Sequence, residues 1–349
     1  MLLALTPTGY ILNALFLIAG VFLLVKGADL FVASASSIAK KFKIPSLIIG
    51  LTVVAFGTSL PELAVALASS IKGVSGLALG NVVGSNISNI ALVLGLAILI
   101  SPIPIKKTLR KREFPFLIGA TILLIVFAFD NLLAGYTGVN NILSRGEALV
   151  FIAGIIFFCY LSIVLAKKDE QVGEINTPEE EIKVLSNKKT ILFLLLGMSF
   201  IVIGAEFITT PAKNIAISIG SSLGVDKELL TNLVGLTVVA IGTSLPELVT
   251  SVVASKKGEN EIAVGNVLGS NIFNILFICG MSGVITPLTM SADIMTDLVF
   301  SLVLTVILFI FTKKGLLKRM HGTILLSIYV LYLTYIIIRL FNPALVIPV

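Results

Sequence analysis

Two glutamates stand in nearly identical local sequence, each inside a stretch apolar enough to lie in a membrane. Glu62 closes the segment 51–62, LTVVAFGTSLPE, and Glu247 closes 236–247, LTVVAIGTSLPE. Eleven of the twelve positions agree and the copies lie 185 residues apart, so half of the chain has been duplicated, not a short module. A second pair keeps the same register: GNVVGSNISNI at 80–90 and GNVLGSNIFNI at 265–275. An ionisable side chain in a bilayer costs about 2.5–3.5 kcal/mol on insertion scales and marks a functional site by default. No lysine or arginine of comparable depth is available to pair with either glutamate, which argues against a carboxyl that is merely kept neutral by burial.

The neighbours of these glutamates are oxygen donors. Pro61 lacks an N–H and its ring crowds the carbonyl of Gly57; Pro246 does the same to Gly242. Both helices are therefore expected to break or kink, which frees carbonyls at mid-membrane. Thr58 and Ser59 lie four and three residues before Glu62, so in a continuing helix the three oxygens would share one face, and Thr243, Ser244 and Glu247 repeat the arrangement. Asn81, Ser85 and Asn89 recur at i, i+4 and i+8, as do Asn266, Ser270 and Asn274. The plain reading of such a stripe is helix-to-helix adhesion, helped by small residues such as Gly80 and Gly84. For Asn81 and Asn266 adhesion alone is the minor reading, and Ser85, Asn89, Ser270 and Asn274, level with the glutamates, are read as contacts to ions or to the carboxyls. Carboxylate, hydroxyl, amide and carbonyl oxygens without thiolate or imidazole select hard cations such as calcium, not zinc or copper. Two carboxylates balance one divalent or two monovalent cations, so one cavity can trade calcium for sodium or protons.

The elements that carry these residues are membrane helices. The chain has 349 residues, 57% hydrophobic and 13% charged, with a mean hydropathy of +1.09, which no ordinary water-soluble surface tolerates. Apolar runs long enough to span a bilayer fall at 11–36, 46–71, 77–100, 114–129, 147–166, 190–219, 229–255, 262–285, 292–311 and 322–340. They lack the period-two alternation of barrel strands, so ten helical spans are expected. The odd-numbered connections hold 19 of the 25 lysines and arginines, the even ones only Lys72, Arg145 and Lys227. By the positive-inside rule both termini face outward and the odd loops inward, and the net charge of +6 reflects topology, not nucleic-acid binding. The first run lacks a cleavage pattern and has its positive charges on the wrong side for a signal peptide, so it is read as a mature helix. Segment 167–189, with Glu179, Glu180 and Glu181 in a row, reads as a solvated cytoplasmic linker. It divides the chain into repeats at 1–166 and 190–349. Five spans per repeat is an odd number, so the second copy enters the membrane inverted, an architecture of many secondary transporters with sites at the repeat interface. Glu62 and Glu247 should then face each other.

At these motifs the chain resembles the calcium/cation antiporter superfamily, and within it the prokaryotic sodium/calcium exchangers. The resemblance covers nearly the whole chain. It implies two inverted five-helix repeats with broken core helices, alternating access, and long first and sixth helices that slide past a core of the second, third, seventh and eighth. Carried over position by position, it implies ion ligation by Ala55 through its carbonyl, Thr58, Ser59, Glu62, Ser85 and Asn89, and by Ala240 likewise, Thr243, Ser244, Glu247, Ser270 and Asn274. Several relatives, potassium-dependent exchangers among them, have Asp at the position of Asn274, so the resemblance implies a potassium-independent site of two negative charges. Exchange of three sodium ions for one calcium would swing the loaded site between +1 and 0 and make transport electrogenic. Large cytosolic regulatory domains of some relatives have no room in 167–189.

The partners expected are calcium, sodium and the bilayer, in a cell membrane (plasma or inner), with no cofactor and no evident obligate protein partner. Proton/calcium antiport is the rival reading, since buried glutamates can titrate. Broken inverted repeats disfavour a channel. An intramembrane enzyme is disfavoured by the absence of H-E-x-x-H, of paired membrane aspartates and of a mid-membrane histidine to activate Ser59 or Ser244. The sole histidine, His321, reads as a surface residue, and Cys159 and Cys279 as packed thiols. Asp29 and Glu206 occur in matching contexts, GADLF and GAEFI; they read either as access carboxylates or as structural anchors, with Asp29 a neighbour of Lys26. Asn274→Asp is expected to add a pH or potassium dependence to calcium flux in vesicles, and an unchanged dependence would move this residue out of the ion site.

Overall fold

In lipid every backbone polar group must find its partner within the protein, and here helices supply nearly all of them. The computed structural model describes residues 7–130, 141–171, 184–222 and 240–341. In chain order the helices are α1 (Pro7–Phe42), α2 (Ser46–Thr58), α3 (Leu60–Ile71), α4 (Gly76–Ile100), α5 (Lys107–Lys111), α6 (Glu113–Ala128) and α7 (Arg145–Gln171). They continue as α8 (Asn187–Ser222), α9 (Ala240–Thr243), α10 (Leu245–Lys256), α11 (Asn260–Ile285), α12 (Ala292–Phe311) and α13 (Arg319–Phe341). π-Helical turns interrupt α2 at Gly50–Val54, α4 at Asn89–Leu94 and α11 at Phe273–Ile278.

Among the described residues seven helices are long and apolar enough to cross a membrane, and α2 with α3, bent by 48° at Ser59, make an eighth, broken span. The ten expected runs and these eight differ for two reasons. The fourth run forms α6, whose 16 residues are short of the roughly 20 that span a bilayer upright. Residues 229–239 of the seventh run lie outside the described residues, as do Lys227, Lys183 and the acidic run at 179–181.

Burial separates centre from periphery. The most apolar window of α11 is 94% buried and that of α4 is 72%, whereas that of α8 is 22%. The two site-bearing helices are thus wrapped by the others, and Ile11, Ile18, Phe22, Ile156, Tyr160 and Leu331 face outward as a lipid-contacting surface. Glycine lets α2 lie against α11: a Cβ on Gly265 would come within 2.7 Å of the Leu47 carbonyl, and one on Gly269 within 2.5 Å of the Leu51 carbonyl. Small residues permit such approach where no hydrophobic effect drives helices together.

α1 and α8, 36 residues each, would measure about 54 Å, well beyond the roughly 30 Å hydrocarbon layer. They run antiparallel, with Gly20 against Gly204 and Gly27 against Gly197, and pack along their length. Two short antiparallel ladders tie the connections. β1 (Ile103–Pro104) pairs with β4 (Leu316–Leu317), and β2 (Ile142–Leu143) with β3 (Leu288–Thr289). The all-α expectation therefore holds for the spans, with minimal strands joining their ends. His321 caps α13: its Nδ1 accepts from the Lys318 amide at 3.0 Å and its ring stacks on Phe311.

A Cβ on Gly197 would sit 2.7 Å from the Phe31 amide nitrogen, so Gly197→Ala must force the long helices apart. It is expected to cost about 1–3 kcal/mol, read as a lowered unfolding temperature in detergent. Gly119→Ala, where a Cβ meets no described atom within 4 Å, should be neutral or mildly stabilising.

Candidate cation site

The break before each glutamate is the same piece of local chemistry. Ser59 leaves the helical region at φ −84°, ψ 7°, and Ser244 at φ −85°, ψ 1°. α3 and α10 then start with Leu-Pro, and proline is tolerated in a first helical turn because the N–H it lacks would have no helical acceptor there. Glu62 and Glu247 consequently fall in first turns, where the helix dipole favours a carboxylate. Both side chains are fully buried.

Asparagines clamp the glutamate-bearing turns. Asn81 Nδ2 donates to the Glu62 carbonyl at 3.1 Å, and Asn266 Nδ2 to the Glu247 carbonyl at 3.3 Å. Asn81 and Asn266 thus make the helix-to-helix bonds of the plain reading, the minor one in the sequence. Asn266 also donates to Ser251 Oγ at 2.9 Å and accepts from Thr58 Oγ1 at 2.9 Å.

The two halves meet through Ser59. Its hydroxyl donates to Glu247 Oε1 at 3.0 Å, reaching the opposite glutamate and not Glu62 three residues on. The one-face arrangement expected of a continuing helix gives way because Ser59 itself is the break. Ser270 Oγ adds a long contact to the same Glu247 oxygen at 3.4 Å. Thr58 also donates to the Ala55 carbonyl at 3.3 Å. Thr243 is buried, and Ala240 opens the short helix α9.

Several buried polar atoms here have no hydrogen-bond partner among the described residues: both carboxyl oxygens of Glu62, Glu247 Oε2, the hydroxyls of Ser85 and Ser244, both polar atoms of Asn89, and Asn274 Oδ1. A buried group without a partner costs about 1–3 kcal/mol, more if charged, and native structures keep few without a reason. These atoms are almost all oxygens, the donor set of a hard-cation site. No group of three or more His, Cys, Asp and Glu able to hold a metal exists among the described residues, so the arrangement is not that of a closed zinc or copper centre.

Other polar contacts were not singled out in the sequence. Asn86 Nδ2 donates to the Asn271 carbonyl at 3.4 Å and Asn271 Nδ2 to the Asn86 carbonyl at 3.2 Å, while Asn274 Nδ2 donates to Asn86 Oδ1 at 3.0 Å. Their signal was the third letter of the duplicated Gly-Ser-Asn. Arg339 of α13 binds Asp297 of α12 through two 3.1 Å contacts, lies over the Tyr335 ring and is 3.8 Å from Asp293. Single charges within apolar runs 46 or fewer residues apart gave little hint of this pairing.

Buried carboxyls at the breaks of wrapped helices put the molecule among polytopic membrane exchangers. The chain belongs to the family described as sodium/calcium exchanger protein, whose model matches residues 12–165 and 189–338. Among its relatives is the sodium/calcium exchanger MaX1 of Methanosarcina acetivorans, 35% identical over an alignment covering 92% of this chain and 97% of that one. The inner membrane protein YrbG of Escherichia coli is 36% identical over 78% of this chain and 79% of its own. Structures of the sodium-calcium exchanger NCX_Mj soaked with sodium and strontium, or with sodium and calcium, match with TM-scores of 0.77 and 0.76 at 29% identity, covering 93% of this chain.

Asn86 and Asn89 should separate structure from binding. Asn86→Ala removes bonds that join α4 to α11 and is expected to cost about 1–3 kcal/mol in thermal unfolding. Asn89→Ala removes an amide with no partner among the described residues; it should leave the unfolding temperature near wild type while weakening calcium binding.

Proposed function

We propose that this chain is a secondary antiporter that exchanges sodium for calcium across a cell membrane by alternating access. The observation that carries this reading is the pair of fully buried glutamates, Glu62 and Glu247, at two equivalent helix breaks, with carboxyl oxygens that lack hydrogen-bond partners among the described residues. Family membership supports it, as do the exchange activities in the names of MaX1 and NCX_Mj.

On this reading the cations are held by Thr58, Ser59, Glu62, Ser85 and Asn89 with the Ala55 carbonyl, and by Thr243, Ser244, Glu247, Ser270 and Asn274 with the Ala240 carbonyl. The two glutamates are shared by calcium and sodium. Ser59 bonded to the opposite glutamate supports a single site assembled across both halves. The architecture proposed is ten spans in two inverted five-helix repeats, 1–166 and 190–349, joined by a cytoplasmic linker at 167–189, with both termini outside. The reciprocal Asn86 and Asn271 bonds, the matched Ser59 and Ser244 breaks and the two ladders support a two-fold relation. With amides at Asn89 and Asn274, two carboxylates carry the only negative charge. Three sodium ions against one calcium then make transport electrogenic and independent of potassium, with about 2.3 kcal/mol per charge for each 100 mV.

Sodium-loaded vesicles diluted into sodium-free buffer should take up radioactive calcium, faster at inside-positive potential. Uptake that ignores sodium and follows a pH gradient would assign the protein to proton-coupled antiport instead. Glu62→Gln and Glu247→Gln should each abolish uptake while leaving insertion and folding intact, and near-normal uptake by either would refute the site.

A further inference from the structure

Asp29 and Glu206 hold matching places in α1 and α8, yet their surroundings differ. Asp29 Oδ1 lies 3.0 Å from Lys257 Nζ, and the same ammonium donates to the Asp29 carbonyl at 3.1 Å. Lys257 caps the C-terminus of α10, the helix with Glu247 in its first turn, so this ion pair fastens the long helix α1 to the element carrying a site carboxyl. Glu206 instead turns along its own helix and accepts from Thr210 Oγ1.

The residue in register with Lys257 is Lys72, 185 positions earlier. It caps α3, the helix carrying Glu62, and each lysine precedes a glycine of positive φ, Gly73 at 72° and Gly258 at 77°. Lys72 is exposed and makes no ion pair among the described residues. The packing is equally one-sided: α1 lies along α10, with no comparable packing of α8 on α3 among the described residues. A groove of about 450 Å³, lined by Val25, Asp29, Leu96, Leu248, Val252 and Lys257 among others, leaves the α1–α10 seam loosely filled around the ion pair.

We infer that Asp29–Lys257 and Glu206–Lys72 are alternative latches of one transport cycle, the first closing α1 on α10 at one membrane face and the second closing α8 on α3 at the other. The glycine contacts of Gly20 with Gly204 and Gly27 with Gly197 hold α1 and α8 together as one body. A motion of that body that makes one latch breaks its counterpart. The inference rests on alternating access, so wild-type exchange in the same vesicles is the control; its absence would count against the antiport reading and leave the latch question to the cross-links.

The test bridges Asp29→Cys with Lys257→Cys, and separately Glu206→Cys with Lys72→Cys, using a short cleavable thiol cross-linker on protein with Cys159 and Cys279, the free cysteines, changed to serine. Both pairs should cross-link under turnover, each should slow exchange at least about tenfold, and cleavage should restore it. Failure of the Glu206/Lys72 pair to cross-link, or full exchange after either bridge forms, overturns the inference. Charge variants need no cysteine replacement. Asp29→Asn and Glu206→Gln should shift the ratio of apparent calcium affinities at the two faces in opposite directions, by about two- to fivefold as expected of half-exposed ion pairs. The reversal Asp29→Lys with Lys257→Asp should return the ratio toward wild type, and shifts of the same sign would contradict the latches.

Discussion

Two carboxyl groups without solvent exposure, and with no salt-bridge partner among the described residues, set the terms for the rest of this molecule. Such groups cannot sit in hydrocarbon, so they must be walled in by protein, and α4 and α11 with the helices around them supply the wall. They must also be offered oxygens, not neutralising cations from the chain, if ions are to come and go. A resident lysine would occupy the site permanently. The helix breaks at Ser59 and Ser244 meet both needs: they place buried hydroxyls at the breaks and start the glutamate-bearing helices inside the bundle, where helix N-termini favour negative charge.

The packing follows from the same demand. Helices wrapped this tightly touch through backbone, which explains Gly265 and Gly269 against α2. Alternating access, as proposed, also needs something able to move, and the two longest helices, α1 and α8, are the natural candidates. Their mutual contact is through glycine, and α1 meets α10 through a part-filled groove and an ion pair, while its Leu24, Phe31 and Val32 share a buried cluster with Val54 and Ile262.

Much of this was legible in the chain. Glu62 and Glu247 stood out because a charge in an apolar run is costly, and Pro61 and Pro246 announced the breaks because proline cannot continue a helix. The polar stripes on α4 and α11 followed from helical periodicity. What was not legible depended on segments that meet only in three dimensions. Local spacing joined Ser59 to Glu62, whereas its hydroxyl reaches Glu247. Asn86 and Asn271 looked like part of a motif and prove to be each other's partners. Asp29 has Lys26 three residues away, yet its ion pair is with Lys257.

The central claim is that calcium and sodium occupy the same pair of carboxyls and exclude each other. Equilibrium binding of radioactive calcium to the purified protein, titrated with sodium at fixed pH, tests it most directly. The account predicts complete displacement of calcium with a steep dependence on sodium, as several sodium ions replace each calcium. Calcium that stays bound at saturating sodium would contradict it.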